Sequence, residues 1–502
     1  MIFESLCWIL FGIALYNGVI ILYNLYFHPL SKFPGPKLAA CSHLYEFYFD
    51  IIKNGMFMQE ISRIHEVYGP IVRITPREIH IKDAEFYDQI YCTGSRKREK
   101  DPQFVSGFVS PQSVITTIDH DLHKKRKNMI QNFFSKASIT EIEYHILQKM
   151  EKVAYRFHDA CRTGEILLME SIFSGLTADV ITLYAFGTSY DYLENRERAN
   201  NLQSSGEIVA RGFHLNRFFP FIRKAVFMMP NLAAALLPGS EAVVYMINGI
   251  KTQARNALDD TKEISKRKTL FDGLTAPSIP SEEKTMSRLM DEGLVLLLAG
   301  TVTTTRVLVL ATFHLYNDVS MLAKLRSELK GVMLTPSYRP SWAELERLPY
   351  LTAAINEGLR LTFGVTFRQP RVAPHETLLY GEYAIPPGTP VSESTYLLHT
   401  DPVVFPEPHA FRPERWTEAS PEQKQQMRKH FAPFSKGSRQ CIGMNLAYCE
   451  MYLVLAHVVR HYDMELYETT FENVHLVRDL GLGFPKDKPL SVKTQVIGIL
   501  TE

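Results

Sequence analysis

FSKGSRQCIG, residues 434–443, is the stretch of this 502-residue sequence that says most about the fold. Its phenylalanine, glycines, arginine and cysteine follow the spacing F-x-x-G-x-R-x-C-x-G. Glycines at 437 and 443 allow a tight loop around Cys441, and a helical pattern that begins at Met444 would lower the pKa of the thiol through its N-terminal amides. A lone cysteine is usually a small buried hydrophobic residue, which is our interpretation of Cys449. Cys441, inside the ten-residue pattern, is predicted to be a metal ligand.

The bulk composition excludes several classes of protein. The chain has 55 Lys and Arg against 54 Asp and Glu, so no basic excess indicates nucleic-acid binding. Its six cysteines are far apart and form no C-x-x-C pair, which argues against a disulfide framework or a zinc site. Length alone would suggest about two to four domains. Because no repeat or low-complexity linker divides the chain, we instead predict one catalytic domain over residues 44–502.

The N-terminal segment is predicted to cross a membrane. Residues 6–27 are apolar or aromatic with few interruptions, and a bilayer-spanning helix needs about 20 such residues. Lys32 and Lys37 follow the segment and no Lys or Arg precedes it, so the positive-inside rule places the rest of the chain in the cytoplasm. A cleaved signal peptide is the alternative, but its basic n-region is missing. We predict a single transmembrane anchor over residues 1–27 and a Pro/Gly hinge over 28–43.

Helical patterns dominate the remaining sequence. Residues 284–316 contain no proline and are so apolar that a helix of about 50 Å is expected there, buried nearly all round. A loose stretch over 269–287 is predicted to be a surface loop. Short strand-like segments lie at residues 71–74, 78–81 and 378–385 and near Leu476 and Ser491. The predicted fold class is therefore mainly α with small β-sheets.

With these features the sequence resembles the cytochrome P-450 family along nearly its whole length. Three further stretches, FPGPKLAA at 33–40, LYEFY at 44–48 and YGPIVRI at 68–74, look like the fungal trichodiene oxygenase-like group. The resemblance implies the cytochrome P-450 fold, a heme b held by the Cys441 thiolate, and monooxygenase activity. It also implies dioxygen as co-substrate, electrons from NADPH through a partner reductase, and residence in the endoplasmic reticulum membrane with the catalytic domain facing the cytoplasm. A thiolate axial ligand favours O–O cleavage.

The same resemblance nominates the residues that contact the cofactor. Arg439 is placed to meet a haem propionate. The basic run at residues 123–127 matches a propionate-binding segment, although a solvated cationic face would be the default for such a run. The family usually has Arg where this chain has Lys127, and because lysine offers a point charge we expect Arg126 to share the contact. The expected cofactor-binding residues are Cys441, Arg439, Phe434, Gly443, His123, Arg126, Lys127, Arg371 and Ala299.

In the family, the segment AGTVTT at residues 299–304 crosses the distal face of the haem. Gly300 would let the helix backbone open for dioxygen, and the Thr303 hydroxyl would relay protons. A threonine in a helix commonly bonds the preceding turn's carbonyl instead, which is the alternative. The family usually has Asp or Glu just before this threonine, and here Val302 cannot carry a proton. Because Asp291 and Glu292 lie about 15 Å up the helix, we expect water and Thr303 to complete the relay.

A structural ion network is expected beside the cysteine loop. Glu357 and Arg360 are three residues apart in a helical stretch, and Arg415 follows later in the chain. An i,i+3 pair is usually solvated, but a charge pair in an apolar helix has to be matched inside the protein. In the family, residues at these three positions form a buried network that braces the haem loop.

The substrate is expected to be a lipophilic secondary metabolite, a terpenoid or a polyketide. Residues 206–237 are rich in Phe and Met; packing in the core is the default for such residues, whereas the resemblance implies a cover over the access channel that touches the membrane. The expected pocket residues are all apolar, so shape would set selectivity. They are Phe108, Phe213, Leu297, Val365 and Leu482. Basic residues on the cysteine side would attract an acidic flavin reductase. They are Arg428, Lys429, Lys436 and the run 124–127.

Two other functions remain open at this point. A haem-thiolate isomerase or dehydratase would not insert oxygen, and the absence of an acid at Val302 keeps that reading open. A non-enzymatic haem-binding membrane protein is the second alternative.

Overall fold

Helices make up most of the chain in the computed structural model, which describes residues 2–222, 240–259, 269–335 and 337–500. Phe227, Met228 and Met229 of the Phe- and Met-rich segment lie outside the described residues. The α-helices are α1 (Ile2–Leu22), α2 (Lys37–Cys41), α3 (Leu44–Phe47), α4 (Phe57–Tyr68), α5 (Tyr87–Ile90), α6 (Pro102–Val105), α7 (His120–Ile130), α8 (Lys136–Thr163), α9 (Met169–Phe186), α10 (Arg196–Phe218), α11 (Ser240–Leu258), α12 (Leu270–Leu274), α13 (Met286–Asn317), α14 (Val319–Lys330), α15 (Trp342–Leu345), α16 (Pro349–Thr362), α17 (Thr395–His399), α18 (Glu414–Thr417), α19 (Pro421–His430) and α20 (Met444–His461).

The strands are short and form four small sheets among the described residues. They are β1 (Ile71–Arg73), β2 (Ile79–Ile81), β3 (Glu99–Lys100), β4 (Ile166–Leu168), β5 (Arg371–Val372), β6 (Leu378–Tyr380), β7 (Tyr383–Ile385), β8 (Pro390–Ser392), β9 (Tyr462–Leu466), β10 (Leu476–Asp479), β11 (Gly483–Pro485) and β12 (Lys493–Ile499). The largest sheet has the order β1-β2-β8-β5-β3, a second has β4-β12-β9, and β6-β7 and β10-β11 are hairpins. The expectation of a mainly helical fold with small sheets is confirmed.

The long apolar helix predicted over 284–316 is α13. Thr285 caps it, because its Oγ1 accepts the backbone N–H of Arg288 at 3.2 Å. Helices α9, α16 and α20 all pack against α13, so it runs through the centre of the main hydrophobic core. That position explains why the helix is apolar on nearly every face.

Two described helical segments are long and apolar enough to cross a membrane. Phe3–Phe27 has a mean hydropathy of 2.1 and none of its most apolar window is buried, whereas Met286–Asn317 has a mean hydropathy of 2.0 with 67% of that window buried. Burial therefore identifies the second as the core helix α13. The exposed N-terminal segment is the candidate single membrane span.

The predicted surface loop over 269–287 contains the short buried helix α12. A reciprocal cap starts it: Thr269 Oγ1 accepts the N–H of Asp272 at 3.1 Å, and Asp272 Oδ2 accepts the N–H of Thr269 at 2.8 Å. Leu270 and Phe271 are buried in the main core. The loop prediction was wrong over these five residues because the prolines at 277 and 280 obscured the signal of a helix little more than one turn long that precedes them.

Candidate functional site

The cysteine loop is closed by its own backbone. The N–H of Cys441 donates to the carbonyl oxygen of Phe434 at 3.0 Å. Gly437 has φ +78°, and a Cβ there would collide with the carbonyl oxygen of Tyr91, so this turn requires glycine. Gly443 has φ −84° and no described heavy atom lies within 4 Å of a Cβ built on it. A steric need for glycine within the described chain is therefore found at Gly437, and for Gly443 the expectation stays a prediction.

Opposing effects act on the Cys441 thiol. Solvent reaches the side chain, yet it lies deep in the molecule, and that burial raises the pKa of the thiol. A hydrogen bond from the N–H of Gly443, which is the N-cap of α20, and the positive charge of Lys127 work in the other direction. The net shift is upward. The helix N-terminus acts on the thiol pKa in the predicted direction, but burial outweighs it in the protein alone, and a cationic iron would have to supply the rest of the stabilisation.

Four basic side chains meet on one side of the cysteine loop. In the antiparallel pair β3–β5, Lys100 lies directly opposite Arg371. His123 of α7 and Arg439 of the loop complete this cationic cluster, since each lies close enough to the others to perturb their titration. In the described parts of the chain, no carboxylate lies within ion-pair distance of any of the four. Like charges opposite each other on paired strands are destabilising, so the cluster is built to receive an anion.

The pKa values of the cationic cluster reflect this crowding. Burial, reinforced by Arg439 and Lys100, lowers the pKa of His123 to about 2. Burial and then Arg371 lower the pKa of Arg439 to about 9. The pKa of Lys100 also falls well below its usual value, mainly because of burial. Two propionates would offset most of the charge of Lys100, Arg371 and Arg439, so the residues present fit heme b with Cys441 as the residue that would hold its iron.

Backbone carbonyl groups hold the guanidinium of Arg439 in place. Its Nη1 and Nη2 donate to the carbonyl oxygens of Thr117 and Ile118, both at 2.6 Å. Lys100 likewise donates to the carbonyl oxygen of Ile115. Lys100 was missed by the sequence analysis because it ends the charged run RKREK at 96–100, which has the composition of a solvated surface.

The basic residues of α7 contact three different parts of the molecule. His123 belongs to the cationic cluster. Lys127 donates from Nζ to the carbonyl oxygens of Ser438 at 2.9 Å and Gln440 at 3.4 Å, so it braces the cysteine loop. The Nε of Arg126 instead pairs with a carboxylate of Glu283 at 2.9 Å. The structure therefore does not bring Arg126 to the cluster, contrary to the expectation that it shares a propionate contact.

Helix α13 presents three of the expected distal residues. Ala299 is exposed although most of the helix is buried. Thr303 Oγ1 donates to the carbonyl oxygen of Ala299 at 2.8 Å, the ordinary bond of a helical threonine to the preceding turn. A Cβ on Gly300 would lie 3.0 Å from Ile181, so this glycine lets α9 approach closely. The backbone of α13 stays regularly helical at Gly300 and does not open there.

Val302 faces another helix rather than a charged group. A Cβ built on Gly206 of α10 would lie 3.0 Å from its Cγ2, so the two helices meet at this position. Asp291 accepts the N–H of Gln112 at 2.6 Å and Glu292 accepts that of Val114 at 3.0 Å. Both nearby carboxylates are thus committed to the segment before α7. The geometry agrees with the sequence argument that neither replaces the missing acid.

The structure brings Glu357, Arg360 and Arg415 together; the first two are fully buried and Arg415 is partly buried. Glu357 and Arg360 form two hydrogen bonds of 2.8 Å, and Arg415 Nε lies 3.1 Å from Glu357 Oε2. His399 connects this network to the cysteine loop: its Nδ1 lies 3.0 Å from the carbonyl oxygen of Arg360, and its Nε2 accepts the N–H of Ala432 at 3.0 Å. The sequence analysis missed His399, which had no motif around it.

Four of the five expected pocket residues come together. Phe108, Phe213 and Val365 belong to one apolar cluster, and Val365 forms an isolated β-bridge with Leu482. Leu297 is fully buried in the main core instead. Two further rings, from Phe104 and Phe367, complete the cluster and were not predicted; Phe213 stacks on Phe367 with ring centroids 4.8 Å apart. We call Phe104, Phe108, Phe213 and Phe367 the aromatic wall.

The expected basic surface on the cysteine side is partly neutralised. Lys429 forms an ion pair with Glu85, and Lys436 Nζ lies 3.2 Å from a carboxylate oxygen of Asp88. Ion pairs this exposed contribute little to stability and can exchange partners. Lys429 and Lys436 therefore stay available to a docking protein, since each would give up only one weak ion pair.

Comparisons with known proteins agree with this geometry. The family model described as cytochrome P-450 matches residues 42–489. The conidiogenone synthase of Penicillium rubens is 41% identical over 492 residues, which cover 98% of this chain and 99% of the relative. The monooxygenase TRI4 of Trichoderma arundinaceum is 40% identical over 489 residues, 97% of this chain and 94% of the relative. The monooxygenase astB of Aspergillus terreus is 40% identical over 486 residues, 95% and 94% of the two chains. The chain belongs to the cytochrome P-450 family and is a haem-thiolate monooxygenase of the kind that oxidises lipophilic metabolites in fungal secondary metabolism.

Proposed function

We propose that this enzyme hydroxylates or epoxidises a terpenoid or polyketide of secondary metabolism. The observation that carries the proposal is a cationic cluster beside the Cys441 loop, formed by Lys100, His123, Arg371 and Arg439. Heme b needs cations for its propionates and a ligand for its iron, and this arrangement would supply both. The apolar cluster that contains the aromatic wall and Val365, three of whose members were expected pocket residues, supports a lipophilic substrate.

The chain's own residues would divide the work as follows. Cys441 would provide the thiolate that holds the heme iron, and the cationic cluster would hold the propionates. Bound heme supplies the activation of dioxygen. Thr303 Oγ1 would give up its hydrogen bond to the carbonyl oxygen of Ala299 and donate a hydrogen bond to a water molecule instead. That water would deliver the proton, because Val302 carries none. Lys127 and Gly437 would keep the loop in the shape that presents the sulfur.

We also propose that residues 1–27 anchor the protein in the endoplasmic reticulum membrane. Residues 28–43 would act as a hinge, and residues 44–502 would form the catalytic domain on the cytoplasmic side. The exposed apolar segment Phe3–Phe27 and the following Lys32 and Lys37 support this orientation. Electrons would come from NADPH through a membrane-bound reductase that docks on the basic cysteine side.

A haem-thiolate isomerase or dehydratase is the second candidate. It is favoured by one observation, the apolar contact between Val302 and Gly206 where a proton-carrying side chain would be expected. Such an enzyme would rearrange or dehydrate an oxygenated substrate without consuming dioxygen.

One experiment separates the two candidates. The full-length enzyme is reconstituted with NADPH and a fungal reductase, and it is incubated with terpenoid and polyketide extracts under isotopically labelled dioxygen. We expect products heavier by one labelled oxygen atom. Turnover to products without label would contradict monooxygenation and favour the isomerase or dehydratase.

A further inference from the structure

A buried network of charged side chains lies directly behind the aromatic wall. Phe213 is followed in the chain by His214, and Phe367 is followed by Arg368. Both of these polar residues belong to the network, together with Glu46, Asp50, Glu78, Arg217 and Asp479. We call these seven residues the latch network. It joins the segment after the predicted hinge to α10, to β2 and β10, and to the turn before β5.

Two arginines link the elements of the latch network. Arg217 of α10 donates from Nη1 to Glu46 and from Nη2 to Asp50, both at 2.6 Å. Arg368 pairs with Glu46 as well, and its Nε lies 2.8 Å from a carboxylate oxygen of Glu78. Glu46 therefore receives both guanidiniums, which hold the pKa of its carboxyl well below the usual range although burial acts in the opposite direction.

His214, the neighbour of Phe213 in the chain, lies beside Asp50. His214 Nδ1 lies 3.3 Å from Asp50 Oδ2, and its Nε2 lies 2.9 Å from the carbonyl oxygen of Asp479. Asp50 and His214 are each only 2% exposed. The second oxygen of Asp50, Oδ1, has no hydrogen-bond partner within the described residues. Such an unsatisfied buried carboxylate is costly unless it keeps a proton.

The charges of the latch network require a retained proton. Four carboxylates, those of Glu46, Asp50, Glu78 and Asp479, face only two guanidiniums. His43, 3.3 Å from Glu46, is the further titratable group on that side. Burial, reinforced by Glu46 and opposed by Arg217 and Arg368, raises the pKa of Asp50 to about 7. Burial lowers the pKa of His214 to about 4, so the proton retained near neutral pH is held by Asp50.

We propose that Asp50, His214 and Arg217 are positioning residues for the substrate pocket, which they shape by holding α10 against the segment that follows the hinge. While the contacts of Asp50, His214 and Arg217 are formed, Phe213 is kept stacked on Phe367 and the aromatic wall has one shape. When these contacts break, α10 can move and Phe213 no longer has a fixed position on Phe367. This inference rests on the monooxygenase function proposed above, and it makes residues remote from the iron responsible for fitting a bulky substrate.

The test compares a bulky and a small ligand of the haem iron. Clotrimazole must fit beside the pocket wall to reach the iron, whereas imidazole is small enough to bind without it. Dissociation constants of both are measured from the Soret shift of the full-length holoenzyme. We expect Asp50→Ala and Arg217→Gln to weaken clotrimazole about tenfold and to leave imidazole within about twofold of the parent enzyme.

A matched control removes a buried carboxylate elsewhere. Glu143 is 8% exposed and accepts the N–H of Trp342 at 2.9 Å, on elements that contribute nothing to the latch network. Glu143→Ala should therefore leave the ratio of the two dissociation constants unchanged. An equal loss of both ligands in Asp50→Ala, or a loss of clotrimazole in Glu143→Ala as large as in Asp50→Ala, would overturn the inference.

The pH dependence of the parent enzyme provides an arm that needs no variant to fold. Above about pH 7, loss of the proton on Asp50 would leave this carboxylate charged beside Glu46. With both ligands corrected for their own protonation, clotrimazole binding should therefore weaken between about pH 6 and 8 while imidazole binding stays level. A level clotrimazole affinity over that range would overturn the inference. Failure of the parent enzyme to show a thiolate-ligated haem would count against the proposed function instead.

Discussion

Replacing Lys100 by Met should move haem affinity and protein stability in opposite directions. In the haem-free protein, the ammonium of Lys100 lies opposite Arg371 and near His123 and Arg439, with no carboxylate at ion-pair distance in the described chain. Facing like charges on paired strands cost up to about 1 kcal/mol, and burial of the ammonium adds to that cost. We therefore expect Lys100→Met to stabilise the haem-free protein by about 1 kcal/mol. Because a charge-assisted hydrogen bond is worth about 1.5–3 kcal/mol, loss of the lysine should weaken haem binding by about that amount.

Two assays measure the two effects. Urea unfolding of the haem-free protein gives its free energy of unfolding, and the rate of haem transfer to apomyoglobin reports how tightly haem is held. Lys97→Met is the control, since Lys97 lies three residues earlier and pairs with Asp121 at 2.5 Å on the surface. If Lys100→Met lowers the stability of the haem-free protein, the cluster is a structural feature of the folded chain and the argument for a propionate site fails.

Three further changes test other parts of the site. Glu357→Gln leaves two buried guanidiniums short of a partner and should lower the free energy of unfolding by about 3 kcal/mol in thermal or urea denaturation; a loss below about 1 kcal/mol would mean the network is solvated. Val302→Glu places an acid one residue before Thr303, and should change the ratio of product formed to NADPH consumed; an unchanged ratio would contradict a role for this position in proton delivery. The pKa of His123 is lowered to about 2, so the folded haem-free protein resists its protonation and should lose stability as pH falls below about 6.5. His123→Gln should remove that part of the pH dependence, and an equally steep loss in the variant would assign it to other groups.

Much of the fold was predictable because its signals are local. The helix predicted over 284–316 was found as Met286–Asn317, since the segment has no proline, a threonine cap and apolar residues on nearly every face. The helix after the cysteine loop, Met444–His461, followed from the same kind of periodicity. Short strands near 71–74, 78–81 and 378–385 were also found because β-branched and aromatic residues concentrate there.

The rest depends on contacts between residues far apart in the chain. Lys100 joins the cationic cluster only because β3 pairs with β5, and a two-residue strand carries no pattern of its own. Arg126 pairs with Glu283, which is 157 positions away in the chain, instead of joining the cluster. The pKa of the Cys441 thiol was predicted from its neighbouring helix, yet burial, which no local pattern reports, decided its direction. His214 and Asp50 met for the same reason, through the packing of α10 on the N-terminal part of the domain.

The central claim is that the Cys441 thiolate binds the haem iron, and the absorbance of the reduced carbon monoxide complex tests it most directly. We predict that the purified parent enzyme gives the red-shifted Soret band of a thiolate-ligated haem. Cys441→Ser should lose that band, whereas Cys449→Ala, which changes a fully buried cysteine of the core, should keep it. A Soret band at the position of histidine-ligated haem in the parent enzyme, or a thiolate-type band that survives in Cys441→Ser, would contradict the account.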